Sequence, residues 1–507
     1  MLKKLIILVV FLSITAPVFG QSIDTAWVRR YDGPYNIDRV NSIAVDKSGN
    51  VVVAGYSMRN GTTMDYATIK YYPNGDTAWV RRYCDSTNGT SGANDLAIDD
   101  SGNVYVTGFT LGLYYYPQEY ATIKYYPNGD TAWVRRYHGK DYANNDGISI
   151  AVDDSHNVYV TGASSGNGLY DYGTIKYYPN GDTAWVRVYD GSAGYDVPYD
   201  VEVDHSGNIY ITGISQGSST NYDYATVKYY PNGDTAWVRR YNGPGNSIDE
   251  ASAIAVDGSG NVYVTGHSNY DATNFDYATI KYYPNGDTAW VRRYDGTGRY
   301  NFPVMALGLD SKGNIYVTGS LLGNGSNRDY TTIKYYPDGA LAWVRRYNGT
   351  GNSDDYAKDL TIDNADNLYV TGYSKNLAGT YDITTVKYGQ EGSAYCVRKY
   401  NTGTSGADID YNAPISVDNT ENVYVAGKAG TNFVTIKYFP IILVGDANSD
   451  GSATISDVIY LINYLFKEGP APDPIRAGDV NGDGEVTISD VVYLINYLFK
   501  GGPPPVC

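Results

Sequence analysis

Two segments near the C-terminus set hard oxygen donors at fixed intervals. Gly445 to Lys467 reads GDANSDGSATISDVIYLINYLFK and Gly478 to Lys500 reads GDVNGDGEVTISDVVYLINYLFK, 33 residues further on. Each opens with a twelve-residue loop whose positions 1, 3, 5 and 12 carry a carboxylate or an amide: Asp446, Asn448, Asp450 and Asp457, then Asp479, Asn481, Asp483 and Asp490. Position 6 is glycine in both loops, Gly451 and Gly484, where the chain must turn sharply. Ser452 by its backbone carbonyl and Thr454 directly or through water complete the first shell, and Glu485 and Thr487 hold the matching places in the second. Calcium takes about six to eight such oxygens, and this order of donors wraps them around one ion. A chance Asp/Asn/Gly turn does not keep a twelve-position register twice, so the pattern predicts two calcium ions, one per loop.

The loops need elements to hold them. After each comes an almost wholly apolar run, Val458 to Phe466 and Val491 to Phe499, which predicts two helices packed on each other, with Leu461, Leu465, Leu494 and Leu498 in the core. No helix pattern precedes either loop, since Phe439 to Val444 is an apolar extended run and Pro474 interrupts the other approach. A paired EF-hand normally has an entering helix and Glu at position 12, whereas both loops here end in Asp. A loop followed by one helix, duplicated and in this wording, resembles a type I dockerin over roughly Val444 to Pro503. That resemblance implies calcium-dependent docking onto a cohesin module of a scaffold protein. It also implies that partner choice rests on loop positions 10 and 11 and on the following helix: Ile455, Ser456, Asn463, Tyr464 and Lys467, then Ile488, Ser489, Asn496, Tyr497 and Lys500. The near identity of the copies predicts a pseudo-two-fold module able to dock in either orientation. So small a unit has little core, and metal binding is expected to supply much of its stability.

Everything before these loops is one repeated phrase, most complete from Ser252 to Tyr294: SAIAVD, GSGN, VYVTG, a loose loop, YATIKYY, PNGD, TAWVRRY. Trp27, Trp79, Trp133, Trp185, Trp237, Trp290 and Trp343 open WVRRY-type runs, Cys396 takes the same register, and the steps run from 52 to 54 residues. Four short β-prone runs per unit, separated by Gly, Asn, Asp and Pro, make one blade of a propeller. Eight IAVD-type and eight TIKY-type runs occur, but the first WVRRY precedes every IAVD run and the last TIKY has no WVRRY after it. The phase predicts an all-β, eight-bladed β-propeller closed by an N-terminal outer strand, Trp27 to Tyr31 beside Thr435 to Tyr438, with seven blades and a stray repeat as the alternative. The wording SIAVD, SGNVYVTG, DYATIKYY resembles the bacterial beta-propeller repeat often called SBBP, over about Ser22 to Phe439, which implies a fold and an exported location and no single activity.

The expected domains are therefore a signal peptide at 1–20, a propeller at 21–440 and a small α-helical duplicated calcium-loop domain at 441–507. Lys3 and Lys4, the apolar run Leu5 to Ala16 and small residues before Gln21 carry the first of these, and the run is too short to span a bilayer. A net charge of -17 offers no basic stripe for nucleic acid. Cys84, Cys396 and Cys507 are an odd set without metal spacing, and a ring keeps Cys84 and Cys396 from bonding to each other.

Catalytic patterns are missing from the sequence. His138, His156, His205 and His267 are scattered, and no HExxH, GxSxG, P-loop or CxxC occurs. Acids at Asp65, Glu119, Asp171, Asp223, Asp276 and Asp329 stand five residues before a lysine in successive repeats, a regularity that reads as structure, pairing strands or blades. The recurrent Trp reads as core wedged between blades, and the long variable loops of one face as the recognition surface. Together these favour a secreted, non-catalytic propeller that binds a polysaccharide or surface ligand and is tethered through its dockerin. A glycoside hydrolase of a polysaccharide-degrading complex and a structural surface protein are the alternatives.

Overall fold

In the computed structural model the described residues run from 25 to 500 without 36, 86–88, 112–117, 140–143, 167–168, 192–193, 218–220, 272–273, 296–303, 323–326, 393, 405–411, 441–443, 449–452 and 473–474. The export signal expected at 1–20 lies outside them. The strands form eight four-stranded sheets. The first complete blade takes its strands in chain order: Asp38–Val45, Val51–Met58, Met64–Tyr71 and Thr77–Tyr83. Its two middle strands are buried almost throughout, because neighbouring blades cover both faces.

Ring closure follows the repeat phase. The eighth sheet is ordered Thr25–Tyr31, Asn432–Tyr438, Val423–Ala429, Ile415–Val417, so its outer strand comes from the N-terminus. Trp27 stands opposite Lys437 and Tyr31 opposite Phe433, antiparallel. The innermost strands touch their neighbours all the way round, and Ile415–Val417 returns to Asp38–Val45. The expected eight-bladed propeller with its N-terminal clasp is thus the observed fold.

A latch repeated between blades explains why WVRRY and PNGD recur together. Trp27 Nε1 donates to Pro73 O at 3.0 Å and Arg29 Nε to Gly75 O at 2.6 Å, so an outer strand grips the last hairpin turn of the next blade. The same two bonds recur from Trp79 and Arg81, Trp133 and Arg135, Trp185 and Arg187, Trp237 and Arg239, Trp290 and Arg292, and Trp343 and Arg345. The Trp rings are buried between blades. Cys396 breaks the series where the latch has nothing to hold: the next blade takes its outer strand from the other terminus and has no such turn.

Some expectations are sharpened or corrected. His156, Asp366 and Glu421, at positions of the turn glycine, suggest relaxed turns from sequence, yet they keep φ at +62°, +62° and +63°, close to the glycine values. For two of them a side-chain bond to the preceding blade offsets the strain of a left-handed residue. Asp366 accepts from Ser311 N and Oγ, both at 2.9 Å, and His156 Nε2 lies 2.8 Å from Asp100 Oδ1. The recurrent acids pair with the second arginine of the adjacent outer strand: Arg82–Asp65, Arg136–Glu119, Arg240–Asp223 and Arg293–Asp276 lie 2.6 to 3.0 Å apart. Cys396 is disulfide-bonded while Cys84 keeps its thiol, so the two are not joined to each other.

Candidate calcium loops and docking surface

The two helices are α1, Ile455–Phe466, and α2, Ile488–Lys500. Thr454 caps α1 in a capping box with Asp457, accepting from Ser456 N, while Asp457 accepts from the Thr454 N–H at 2.8 Å. The cap satisfies amides the first helical turn cannot, and it points the twelfth loop residue back into the loop. Asp490 does the same for α2, accepting from Thr487 N at 2.8 Å and from Asn481 N at 3.0 Å. Both acids are fully buried. A buried carboxylate at the foot of an otherwise open loop fixes one wall of a cation site.

The second loop is described throughout. Asp479, Asp483 and Asp490 each offer a carboxylate oxygen, and these oxygens lie within 4.8 Å of one another. Gly484, at φ +94°, lets the chain double back, so that its N–H and that of Asp483 both reach Asp479, at 2.9 and 3.0 Å. Asn481 accepts from Asp483 N at 2.8 Å, and Glu485 and Thr487 follow on the same loop. Three convergent carboxylates with amide, hydroxyl and carbonyl oxygens beside them fit a hard divalent cation of calcium size.

The first loop shows the same scaffold at its ends. Asp446 is buried, Asn448 N donates to Asp457 Oδ1 at 3.1 Å, and Asn448 Nδ2 reaches Ser456 Oγ at 3.1 Å. Asp450, Gly451 and Ser452 lie outside the described residues. The loops are tied together where they begin, since Gly445 N donates to Ala477 O at 2.8 Å.

Ala447, Val458, Leu461, Val480, Val491 and Leu494 form the core between the repeats, with Leu465 and Leu498 partly buried against it. Of the positions the family resemblance picks out, Ile455, Lys467, Ile488, Ser489 and Lys500 are exposed, while Ser456, Asn463, Tyr464, Asn496 and Tyr497 are half-buried. Ser456 and Ser489 are drawn into the loops by Asn448 and Asn481.

Four residues outside that set complete a second apolar face. Ile459 and Phe466 join Ile455, Val492 and Phe499 join Ile488, and all six are between 51 and 65 % exposed. The spacing i, i+4, i+11 puts each trio on one stripe, away from the core stripe of Val458, Leu461 and Leu465. The signal was present in the sequence: each helix carries more apolar residues than one buried face can use.

Comparison with known proteins agrees with this picture. Residues 444–499 match the family described as Dockerin type I domain, and residues 236–271 and 342–377 match the Beta-propeller repeat. No curated protein matches. Among solved structures, Sqt1 from Chaetomium thermophilum is 11% identical over 84% of this chain and 99% of its own, with a TM-score of 0.52, a likeness of fold alone. A virginiamycin B lyase from Staphylococcus aureus, solved with quinupristin, is 9% identical over 82% and 99%, at 0.40. PorZ of Porphyromonas gingivalis, described as a bacterial surface component of the type-IX secretion system, is 12% identical over 82% and 58%, at 0.44. Among the described residues no helix is long and apolar enough to cross a membrane. The chain carries beta-propeller repeats of the SBBP kind in an eight-bladed ring, followed by a C-terminal type I dockerin domain.

Proposed function

We propose that this is an exported, non-catalytic propeller held on a cohesin-bearing scaffold by its dockerin, with two calcium ions in the loops and the variable loop face turned to a surface or polysaccharide ligand. The observation that carries the tethering is the matched pair of exposed apolar stripes, Ile455, Ile459 and Phe466 against Ile488, Val492 and Phe499. Apolar patches of this kind on an otherwise soluble unit mark interaction sites. Each stripe starts at position 10 of a calcium loop, so loss of the ion frees the first turn of the helix that presents it. That coupling makes docking calcium-dependent without a ligand contact to the metal.

The near equality of the two stripes supports docking through either repeat. Full-length protein is expected to bind immobilised type I cohesin in calcium and to leave it in EDTA. Phe466→Ser or Phe499→Ser alone should weaken binding little, and the double change about tenfold or more, since each repeat can replace the other. Equal binding by wild type and double variant, or binding that survives chelation, would overturn the reading.

A further inference from the structure

The chain has three cysteines, and the structure puts them in different states. Cys84 keeps its thiol, which donates to Gly89 O at 3.4 Å, while its sulfur accepts from Ser91 Oγ at 3.5 Å. Cys396 is disulfide-bonded. Its side chain is only 3 % exposed, so its sulfur is shut off from a second molecule and the partner sulfur has to come from the same chain. Cys507, which lies outside the described residues, is the one cysteine left.

The repeat explains why a cysteine stands at this place. In the seven other outer strands the register holds a tryptophan opposite a lysine, as Trp343 stands opposite Lys334, and Cys396 stands opposite Lys387 in the same way. Each tryptophan reaches over the junction and holds the last hairpin turn of the next blade. Blade eight has no such turn, because after Asn432–Tyr438 the chain runs on through Phe439 and Pro440 toward the calcium loops. The junction between blades seven and eight therefore lacks the latch, and a covalent bond at the same register can close what an indole there could not. Tyr438, where the chain leaves the propeller, lies in the same buried cluster as Cys396.

We infer that Cys396 is joined to Cys507, so that the dockerin is fastened to the propeller at both of its ends and at one place on the ring. On one side seven residues, Phe439 to Gly445, lead from the exit strand to the first bond inside the dockerin, Gly445 N to Ala477 O. On the other side seven residues, Gly501 to Cys507, follow α2. Seven residues span at most about 25 Å, so the bond keeps the end of α2 within that distance of Cys396. The closed loop also encloses Ile415–Val417, Val423–Ala429 and Asn432–Tyr438, the three strands that receive the N-terminal clasp. Closing so long a loop restricts the unfolded chain and supports the seam of the ring.

Forming the bond takes two thiols and one disulfide oxidant. One cysteine thiolate attacks the oxidant's disulfide, the second cysteine attacks the resulting mixed disulfide, and the oxidant leaves as two thiols carrying the two electrons and two protons. Oxidised glutathione serves as that oxidant in the test, which therefore depends neither on export nor on cohesin binding.

The full chain is refolded with oxidised glutathione in calcium, alkylated under denaturing conditions and digested with trypsin without reductant. Peptide 388–398 is expected to appear joined to peptide 501–507, with Cys84 alkylated. A second test places a protease site between Pro440 and Ile441 of the full chain. After cutting, the dockerin should stay with the propeller through size-exclusion chromatography and leave when a reductant is added, while Cys507→Ser should release it at once. Cys507→Ser leaves every propeller residue in place, so the comparison stands even where Cys396→Ser does not fold. Alkylation of both Cys396 and Cys507 in the oxidised protein, a bond from either to Cys84, or retention of the cut dockerin by Cys507→Ser would overturn the inference. Loss of cohesin binding with the linked peptides intact would strike the docking proposal, not this one.

Discussion

Gly75 holds φ at +86°, and a Cβ built on it would lie 2.8 Å from the Cγ of Trp27 and 2.9 Å from Arg29 Nη2. Two constraints coincide there: the turn needs a left-handed residue, and the ring of the previous blade occupies the space a side chain would use. Gly75→Ala is therefore expected to cost about 2 kcal/mol or more, the sum of a left-handed penalty and local overpacking. Gly258 is the control, since a Cβ there meets nothing within 4 Å and its φ is not left-handed. Gly258→Ala should leave stability unchanged or slightly raised. Tryptophan-monitored denaturant midpoints check both, and a neutral Gly75→Ala would refute the latch. In the second calcium loop, Asp490→Asn removes a charge from the cation site and keeps an oxygen for only one of the two amides, Thr487 N and Asn481 N, that donate to separate oxygens of the carboxylate. Its expected effect is loss of calcium affinity by about tenfold or more, measured by titration calorimetry, with helix content retained at saturating calcium.

The inner strands carry a charge arrangement with a pH signature. Asp95 accepts from Ile150 N, Asp200 from Ile254 N and Asp359 from Ile415 N at 2.9 to 3.0 Å, so each acid ties its blade to the next. Burial pushes the carboxyls of Asp200 and Asp359 up to about 7, with the charge of Asp95 adding to both. Between an unfolded value of about 4 and those folded values the native state binds more protons than the unfolded chain, so stability falls as pH rises through that window. Below it both acids are protonated in the folded and unfolded chain alike and contribute no slope. The turn acids Asp46, Asp99, Asp204 and Asp257 are also pushed up by burial, but bonds from the side chains and amides of Asn50, Asn103, Asn208 and Asn261 bring them below the usual range. Their contribution is lost as pH drops under about 4. The propeller midpoint should be higher near pH 5 than near pH 8, and Asp200→Asn should raise the pH 8 value and flatten the slope. A midpoint that rises from pH 5 to pH 8 would contradict the assignment.

These elements also show what a sequence can and cannot display. Strand count, blade count and clasp were legible because repetition fixes the phase, and the calcium loops because hard donors at fixed spacing have few other uses. The pairing of Asp65 with Arg82 was not, since the lysine five residues on is nearer in the chain, while the arginine is brought close only by the hairpin between strands. Ile459, Phe466, Val492 and Phe499 were not singled out, because an apolar run shows a surplus of apolar residues without showing which of them the fold leaves exposed.

At the scale of the whole molecule, closure depends on one seven-residue strand from the far end of the chain. Thr25–Tyr31 supplies the outer edge of the eighth blade, latches Pro73 and Gly75 of the first, and sends Arg30 to the Tyr400 hydroxyl of the seventh at 2.8 Å. Removing it strips three contacts at one seam and bares the edge of Asn432–Tyr438, a strand whose residues are otherwise almost entirely buried. An open edge of that kind is a template for another chain. A protein that begins after Tyr31 is therefore expected to unfold at a lower denaturant concentration and to self-associate, as read by light scattering. Trp27→Ala tests the alternative that the strand matters only through its ring: it should lose about 3 to 5 kcal/mol and stay monomeric, because the backbone ladder still covers the edge. A synthetic TAWVRRY peptide should restore the truncated protein to a monomer, since the missing element is a strand and not a folded unit. If the truncated chain remained monomeric with an unchanged midpoint, closure would have to come from the inner strands alone.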